Sequence, residues 1–396
     1  MLALAEEVGE VGKDSVEHPE DELPSELATQ THRDWPVGTE EWEQRASVTL
    51  TSNAFDWIAG GAGEESTIRA NRAAFERRQL RPRMLVDTSS RDISVEISGT
   101  RSSAPFLLAP IGGQTVAHPK GEKATARAAQ KLGIPLVIST AASYSMEEIA
   151  TECGDSPFWH QLYWVGDEGV VASFVQRAED CGASAIVLTV DSPMVGWRDR
   201  DLRNGYTPFI QDEGLRQYTS DPVFRSRLEN APKDDPRAAS SAMMKMFPNV
   251  SLTWNRLDWL RNKTSLPIFI KGILRGDDAR RALDAGMDGV IVSNHGGRQL
   301  DGEIASLDAL PEVRSAVGDR ALVLFDSGIR RGVDVVKALA LGADAVLLGR
   351  PYIYGLAAGG QEGVEQVLRT LMAEIDLTFV LVGVDRVGEL DPSFVV

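Results

Sequence analysis

Cysteine and histidine are scarce in this chain. Cys153 and Cys181 are the only two cysteines among 396 residues, too few for a disulfide framework or a four-cysteine metal site. Of the five histidines, His18, His32, His118 and His160 show no HExxH or related spacing, so no metal centre is expected. No GxSxG occurs, which sets aside the serine elbow of the hydrolases. No 18 apolar residues run together, so no membrane span is expected. The opening MLALAEEVGE lacks a basic region followed by an apolar stretch, which argues against a secretory leader and makes the cytoplasm the expected location. Basic residues are outnumbered, 41 Lys and Arg against 58 Asp and Glu, and the net charge of −17 repels nucleic acid and anionic membranes.

The acidic excess is uneven. Residues 1–40 hold eleven acidic and two basic residues, a net −9, which leaves −8 of the −17 for the other 356. Residues 1–40 therefore read as a loosely ordered acidic arm and residues 41–396 as the folded domain. From Glu40 to Arg83 the apolar spacing is helical, and Gly60, Gly61 and Gly63 divide it into two helices. After Pro82 a repeating unit begins. Eight short apolar runs follow, at Phe106–Ala109, Leu136–Ser139, Phe158–Tyr163, Ala185–Val190, Ile268–Lys271, Gly289–Ser293, Leu322–Asp326 and Ala345–Gly349. Amphipathic stretches such as Gly121–Leu132, Asp167–Cys181 and Gly332–Leu341 lie between them. Strict alternation of strand and helix implies parallel pairing, and eight units over roughly 250 residues match a (β/α)8 barrel. A doubly wound open sheet has fewer strands, and no GxGxxG follows the first run.

A barrel of this kind gathers its chemistry at the C-terminal ends of the strands. Those ends read Pro110-Ile111-Gly112, Ser139-Thr140, Gln161-Leu162-Tyr163, Thr189-Val190-Asp191, Lys271-Gly272, Ser293-Asn294-His295, Asp326-Ser327-Gly328 and Gly349-Arg350. All eight carry polar groups or glycine, more than strand capping requires. In VIVSNHGGRQLDG a buried strand ends abruptly in His295, two glycines and Arg298, a pairing that suits proton removal from an anionic substrate. Asp191 on the fourth strand is placed to fix the tautomer of His295. Lys271 sets a fixed positive charge against an electron-accepting ring, Arg198 and Arg298 suit a carboxylate, and Tyr163 a substrate oxygen. DSGIRRG (Asp326–Gly332) opens a helix whose first amides are expected to be unpaired, and LLGRP follows the eighth strand. Together with Arg330, Arg331 and Arg350 they form the usual phosphate site of this barrel. One connection is long. More than seventy residues separate Asp191 from Ile268, and the insertion at about 203–253 reads as a lid or an oligomer contact.

SNHGGRQLDG, the ends LAPIGG, HQLYW, LTVDSP and IKGI, and the stretch DSGIRRGVDVVKALALGADAVLLGRP together resemble the FMN-dependent 2-hydroxy acid oxidases and dehydrogenases. The likeness runs from about Trp42 to Val396. Within the family it points to the lactate 2-monooxygenase branch, through GWRDRDL, the DPVF…DPR…LTW insertion, and Gly112 where simple oxidases tend to carry alanine. The resemblance implies that His295 is the base, Asp191 its partner, Arg198 and Arg298 the carboxylate clamp, Tyr163 the substrate tyrosine and Lys271 the lysine beside flavin N1. It assigns FMN contacts to Ala109, Pro110, Ile111, Gly112, Ser139, Gln161, Tyr163, Thr189, Lys271, Ser293, His295, Asp326, Gly328, Arg330, Gly349 and Arg350. It also implies an assembly of four or eight copies. The expected reaction takes lactate and oxygen to acetate, carbon dioxide and water, the keto acid staying bound while oxygen re-oxidises the flavin.

Two positions depart from the family. Trp57 stands in FDWIAGG where a tyrosine usually binds the substrate carboxylate, and an indole donates only through its nitrogen. Ala141 stands where many relatives carry a larger residue, which widens the pocket. Two other outcomes therefore stay open: release of the keto acid from a larger substrate by an oxidase or dehydrogenase, and an FMN-binding protein that has lost catalysis. An IMP dehydrogenase-like barrel shares the phosphate loops but needs a nucleophilic cysteine at a strand end, and neither cysteine lies there.

Overall fold

A computed structural model describes residues 35–211 and 213–396, so the acidic arm lies outside the described residues except for its last six. The region before the repeats forms three helices rather than two: α1 (Thr39–Thr49), α2 (Ser52–Ala59) and α3 (Ser66–Arg77). The extra break falls at Leu50-Thr51, where the Thr51 side chain accepts from the Ala54 amide and caps α2. A threonine start signal inside an otherwise helical pattern outweighed the periodicity.

An antiparallel hairpin, β1 (Val95–Ile97) and β2 (Thr100–Ser102), then precedes the barrel. It went unseen in the sequence because three-residue strands give no periodicity to detect. Ile97 is buried in the barrel core, and Thr100 Oγ1 accepts from Trp159 Nε1 at 2.9 Å.

The eight expected strands form one closed parallel barrel. They are β3 (Phe106–Leu108), β4 (Leu136–Ser139), β5 (Phe158–Tyr163), β6 (Ile186–Thr189), β7 (Ile268–Ile273), β8 (Gly289–Val292), β9 (Leu322–Phe325) and β10 (Ala345–Leu348). The helices after β3, β4 and β5 are α4 (Gly121–Leu132), α5 (Met146–Cys153) and α6 (Glu168–Asp180). The long connection after β6 carries α7 (Asp199–Asn204), α8 (Arg216–Ser220), α9 (Pro222–Arg225), α10 (Pro236–Met246) and α11 (Leu257–Arg261). The remaining helices are α12 (Gly276–Asp284), α13 (Ser306–Val317), α14 (Gly332–Ala340) and α15 (Arg350–Val382), the last bent at Gly360. Among the described residues, no helix is long and apolar enough to cross a membrane.

Inside the barrel the strand period of two separates structure from chemistry. Leu107, Val137, Trp159, Val187, Phe269, Ile291, Leu324 and Leu347 form one apolar layer of the core. Two residues further along each strand, on the same face, stand Ala109, Ser139, Gln161, Thr189, Lys271, Ser293, Asp326 and Gly349. The apolar layer is thus the floor of the functional one. Trp159 and Phe269 stack across it with centroids 4.7 Å apart. Gly289 makes room for Phe269, since a Cβ there would lie 2.4 Å from its ring. Removing the Phe269 ring should therefore open a cavity. Phe269→Ala is expected to cost about 3–5 kcal/mol, read as a lowered urea midpoint, and an unchanged midpoint would show that the floor carries little of the stability.

Candidate active site

The loop after β8 is held by its own short side chains. Asn294 is buried and exchanges paired amide hydrogen bonds of 2.9 and 2.8 Å with Asn71 of α3. Ser293 Oγ accepts from the His295 amide at 3.0 Å, and Asn294 Oδ1 from the Gly297 amide at 3.2 Å. These contacts hold His295 in left-handed backbone, φ 57°, a conformation uncommon outside glycine and frequent at functional sites. Ser327, φ 83°, is held likewise on the next loop, where its hydroxyl accepts from the Gly296 amide at 3.0 Å.

His295 Nδ1 lies 2.8 Å from Asp191 Oδ1, which also accepts from Ser192 Oγ at 2.8 Å. Gly272, φ +104°, sits at a register shift in β7 and lets this carboxylate pass, because a Cβ there would come within 2.6 Å of Asp191 Cβ. Burial would raise the Asp191 carboxyl, yet His295 and Lys271 bring it down to about 2. Burial also lowers the His295 imidazole; Asp191 opposes that shift without cancelling it, and Lys271 and Arg198 add to it. The ring therefore rests neutral, with Nδ1 committed to Asp191 and Nε2 left for the cavity.

Lys271 Nζ donates to Ser293 Oγ at 2.8 Å and lies 3.1 Å from Asp326 Oδ2 and 3.9 Å from Asp191 Oδ2. Burial works against its charge, but the two carboxylates prevail and hold the ammonium above the ordinary lysine value. Arg298 and Arg350 make no ion pair among the described residues; Asp201 supports the charge of the first, and Glu43 and Glu65 that of the second, from further away. Arg298 donates to the Gly60 carbonyl at 2.7 Å, and Arg350 to the carbonyls of Ile58, Gly60 and Gly296. Burial drives the Arg298 guanidinium well below its usual range, helped by Arg198 and Arg350, and brings Arg350 down to about 10. Arg198 is lowered by burial too, and its nearest carboxylate, Asp201, is 3.8 Å away. Burial raises the Tyr163 phenol, which stays a donor.

These groups face one cavity of about 1490 Å3, open to solvent. Of the residues singled out from the sequence, Trp57, Ala109, Pro110, Ile111, Gly112, Ser139, Ala141, Gln161, Tyr163, Thr189, Arg198, Lys271, His295, Arg298, Asp326, Gly328, Arg330, Gly349 and Arg350 all line it. Asp191 and Ser293 do not; they contact the lining groups, Asp191 through His295 and Ser293 through Lys271. Two expectations about the phosphate loops fail. Arg331 turns outward to an ion pair with Glu374. The amides of Arg330 and Arg331 are taken by Asp334 Oδ2 at 2.9 and 3.1 Å, and that of Gly332 by Glu374 at 2.7 Å. Carboxylates that cap a helix start occupy the donors an anion would otherwise use. Gly328, Ile329, Arg330, Gly349 and Arg350 remain on the cavity wall.

The insertion folds over the cavity and contributes Phe209, Gly214, Tyr218, Met243, Met244 and Phe247. Local spacing did not point to these contacts, since the helices carrying them are short and their register follows from the docking. Gln299 was also missed: its side-chain amide ties the Asp191 and Met194 carbonyls, and the only sequence signal was its place beside Arg298.

A neutral histidine, a paired lysine and half-buried guanidiniums gathered at the mouth of a parallel barrel are the arrangement a flavin-dependent oxidoreductase would use. A family model described as FMN-dependent dehydrogenase matches residues 46–396. An L-lactate oxidase of Nostoc sp. is 45% identical over 91% of this chain and 98% of its own length. A 4-hydroxymandelate oxidase of Amycolatopsis orientalis is 43% identical over 89% of this chain and 96% of its own. A crystal structure of mandelate oxidase superposes with a TM-score of 0.81 at 41% identity, covering 90% of this chain and 97% of that one. The chain belongs to the FMN-dependent 2-hydroxy acid oxidase and dehydrogenase family, and it is an oxidoreductase whose cofactor is FMN.

The cavity suits that group. Gln161 Nε2 and Thr189 Oγ1 are buried, face the cavity and have no hydrogen-bond partner among the described residues; a polar ring edge would satisfy both. Replacing Lys271 would strand two buried carboxylates. Lys271→Met should lower stability by about 3–5 kcal/mol and reduce the flavin retained on purification, which thermal unfolding and the absorbance ratio at 450 and 280 nm would measure.

Proposed function

We propose that this chain oxidises a small L-2-hydroxy acid with oxygen as the final acceptor, in the manner of lactate 2-monooxygenase. The observation that carries the reading is the 2.8 Å contact between His295 Nδ1 and Asp191 Oδ1 beside Arg298 and Arg350, whose hydrogen bonds among the described residues go to carbonyl oxygens. FMN, when bound, supplies the two-electron acceptor. The protein residues do the rest. Arg198 and Arg298 clamp the substrate carboxylate, and Tyr163 donates to a substrate oxygen. Nε2 of His295 takes the proton as the electron pair departs, and Asp191 stabilises the imidazolium that forms. Lys271 supports negative charge on the acceptor.

The lid of Phe209, Tyr218, Met243, Met244 and Phe247 supports retention of the keto acid, which a decarboxylating outcome needs. Ala141 favours the second reading, an oxidase that releases the keto acid of a larger substrate. Its Cβ packs against Gly112, where an added Cβ would come within 2.7 Å. Product analysis in air separates the two, acetate from lactate marking the first, pyruvate with hydrogen peroxide the second.

A cytoplasmic assembly of four or eight copies belongs to the same reading. Met194, Trp197, Leu300 and Ile304, on the loops after β6 and β8, are exposed, Trp197 to 73%, and exposed apolar side chains of this kind suit a contact between copies. Light scattering should find that assembly, and a monomer at micromolar concentration would count against it.

His295→Ala should slow anaerobic flavin reduction by at least ~100-fold with every 2-hydroxy acid; an undiminished rate would remove the base. The neutral imidazole must act, so kcat/KM should rise with pH through an ionisation below the ordinary histidine value of 6.5 and then level. The Asp191 carboxylate raises that ionisation. In Asp191→Asn the acid limb should therefore move further down while the plateau rate falls, and a limb moving upward would contradict the pairing.

A further inference from the structure

A second cavity, about 1160 Å3 and open to solvent, adjoins the first between the tops of β6 and β7 and the returning end of the insertion. Its lining is largely apolar, with Trp164, Val190, Leu252, Trp254, Leu257 and Ile270 among its residues. Tyr163, Thr189, Ser192 and Phe247 line both cavities. Tyr163 and Phe247 meet edge to face with centroids 5.1 Å apart, so these two rings form part of the partition.

The backbone around Phe247 is tied on both sides. The Met246 carbonyl accepts from the Gly166 amide at 2.8 Å. Asn249 donates from its side chain to the Trp164 carbonyl at 3.0 Å and from its amide to the Pro193 carbonyl at 3.1 Å. A rotamer change of the Phe247 ring is the remaining freedom, and it would join the cavities without moving the frame.

We propose that this second cavity receives the apolar side chain of a 2-hydroxy acid longer than lactate, with the Phe247 ring as its door. The inference rests on the carboxylate clamp proposed above. With the carboxylate at Arg198 and Arg298 and the α carbon at His295, a substrate side chain beside Tyr163 meets this partition. Tryptophan, leucine, valine and isoleucine beyond it offer contact to methylenes but none to a second charge. Each methylene moved from water onto such a surface is worth roughly fourfold in affinity.

Calorimetric titration of the FMN-loaded enzyme with propionate and octanoate tests this without turnover, because neither carries a hydroxyl to oxidise. Octanoate should bind at least ~10-fold more tightly than propionate. Leu252→Trp, which fills the chamber, should bring octanoate close to propionate while propionate stays within about twofold of wild type. Val250→Trp, on the exposed rim, should act in the same direction and guards against a folding defect in the first variant, with thermal unfolding and flavin content as controls. Octanoate binding no tighter than propionate in the wild type would overturn the chamber, as would either variant weakening both ligands alike. If neither carboxylate binds, the clamp itself fails, and the chamber falls with it.

Discussion

Half-buried guanidinium charge, held by carbonyl oxygens rather than by carboxylates, is the constraint on which this structure turns. Lys271 is balanced by Asp326 and Asp191, but the hydrogen bonds of Arg298 and Arg350 among the described residues go to carbonyl oxygens. Carbonyl dipoles partly replace lost hydration, and burial still weighs against the charge on both guanidiniums. A site in that condition gains by taking anions, since each one that enters restores charge balance in a medium of low dielectric. The Gly60-Gly61 turn is part of the arrangement. It supplies a carbonyl to both arginines, and a Cβ at Gly61 would come within 2.8 Å of the Gly297 carbonyl. The protein as a whole is strongly acidic, at −17, so its anionic ligands approach against the net charge and are drawn in by this local field.

Much of the site was legible because the barrel repeats one rule eight times. Each strand buries an apolar residue and, two positions later, presents a group to the mouth, so a residue such as Lys271 or Thr189 is located as soon as its strand is. The linear order also located His295 and Asp191, although their contact spans 104 residues. What stayed hidden lacked a repeat or depended on docking. Asp334 and Glu374 cap the start of α14, and neither lies in the motif whose amides they occupy; Glu374 belongs to α15, 42 residues beyond Gly332. The hairpin at Val95–Ser102 is shorter than any period it could show. Phe209, Met243 and Phe247 become site residues only because the insertion folds back, which local spacing does not encode.

This division assigns reaction and selectivity to different parts of the chain. The groups proposed to move the proton and hold the carboxylate sit mainly on strand ends or on loops pinned by buried amides, where displacement would break several hydrogen bonds at once. The groups that meet the rest of a substrate come mostly from the insertion. Methionine and phenylalanine dominate there, and soft, unbranched or flat side chains re-pack at small cost. A family built this way can change substrate by altering the insertion while the barrel mouth stays fixed.

Trp57 is the exception, an aromatic of the mouth contributed by α2. The Arg298 guanidinium lies 5.6 Å from its ring centroid, and the ring passes so close to Gly113, φ +63°, that a Cβ there would stand 3.2 Å from it. The indole thus occupies space that a glycine in left-handed backbone leaves open. A ring face over a guanidinium screens it from water and adds a cation–π attraction, whereas a phenol at this position would add a second hydroxyl donor. The proposed carboxylate clamp then leans on the guanidiniums and Tyr163 alone. Exchanging a donor for a hydrophobic face favours a ligand with more carbon to bury, the same direction in which Ala141 and the chamber behind Phe247 point.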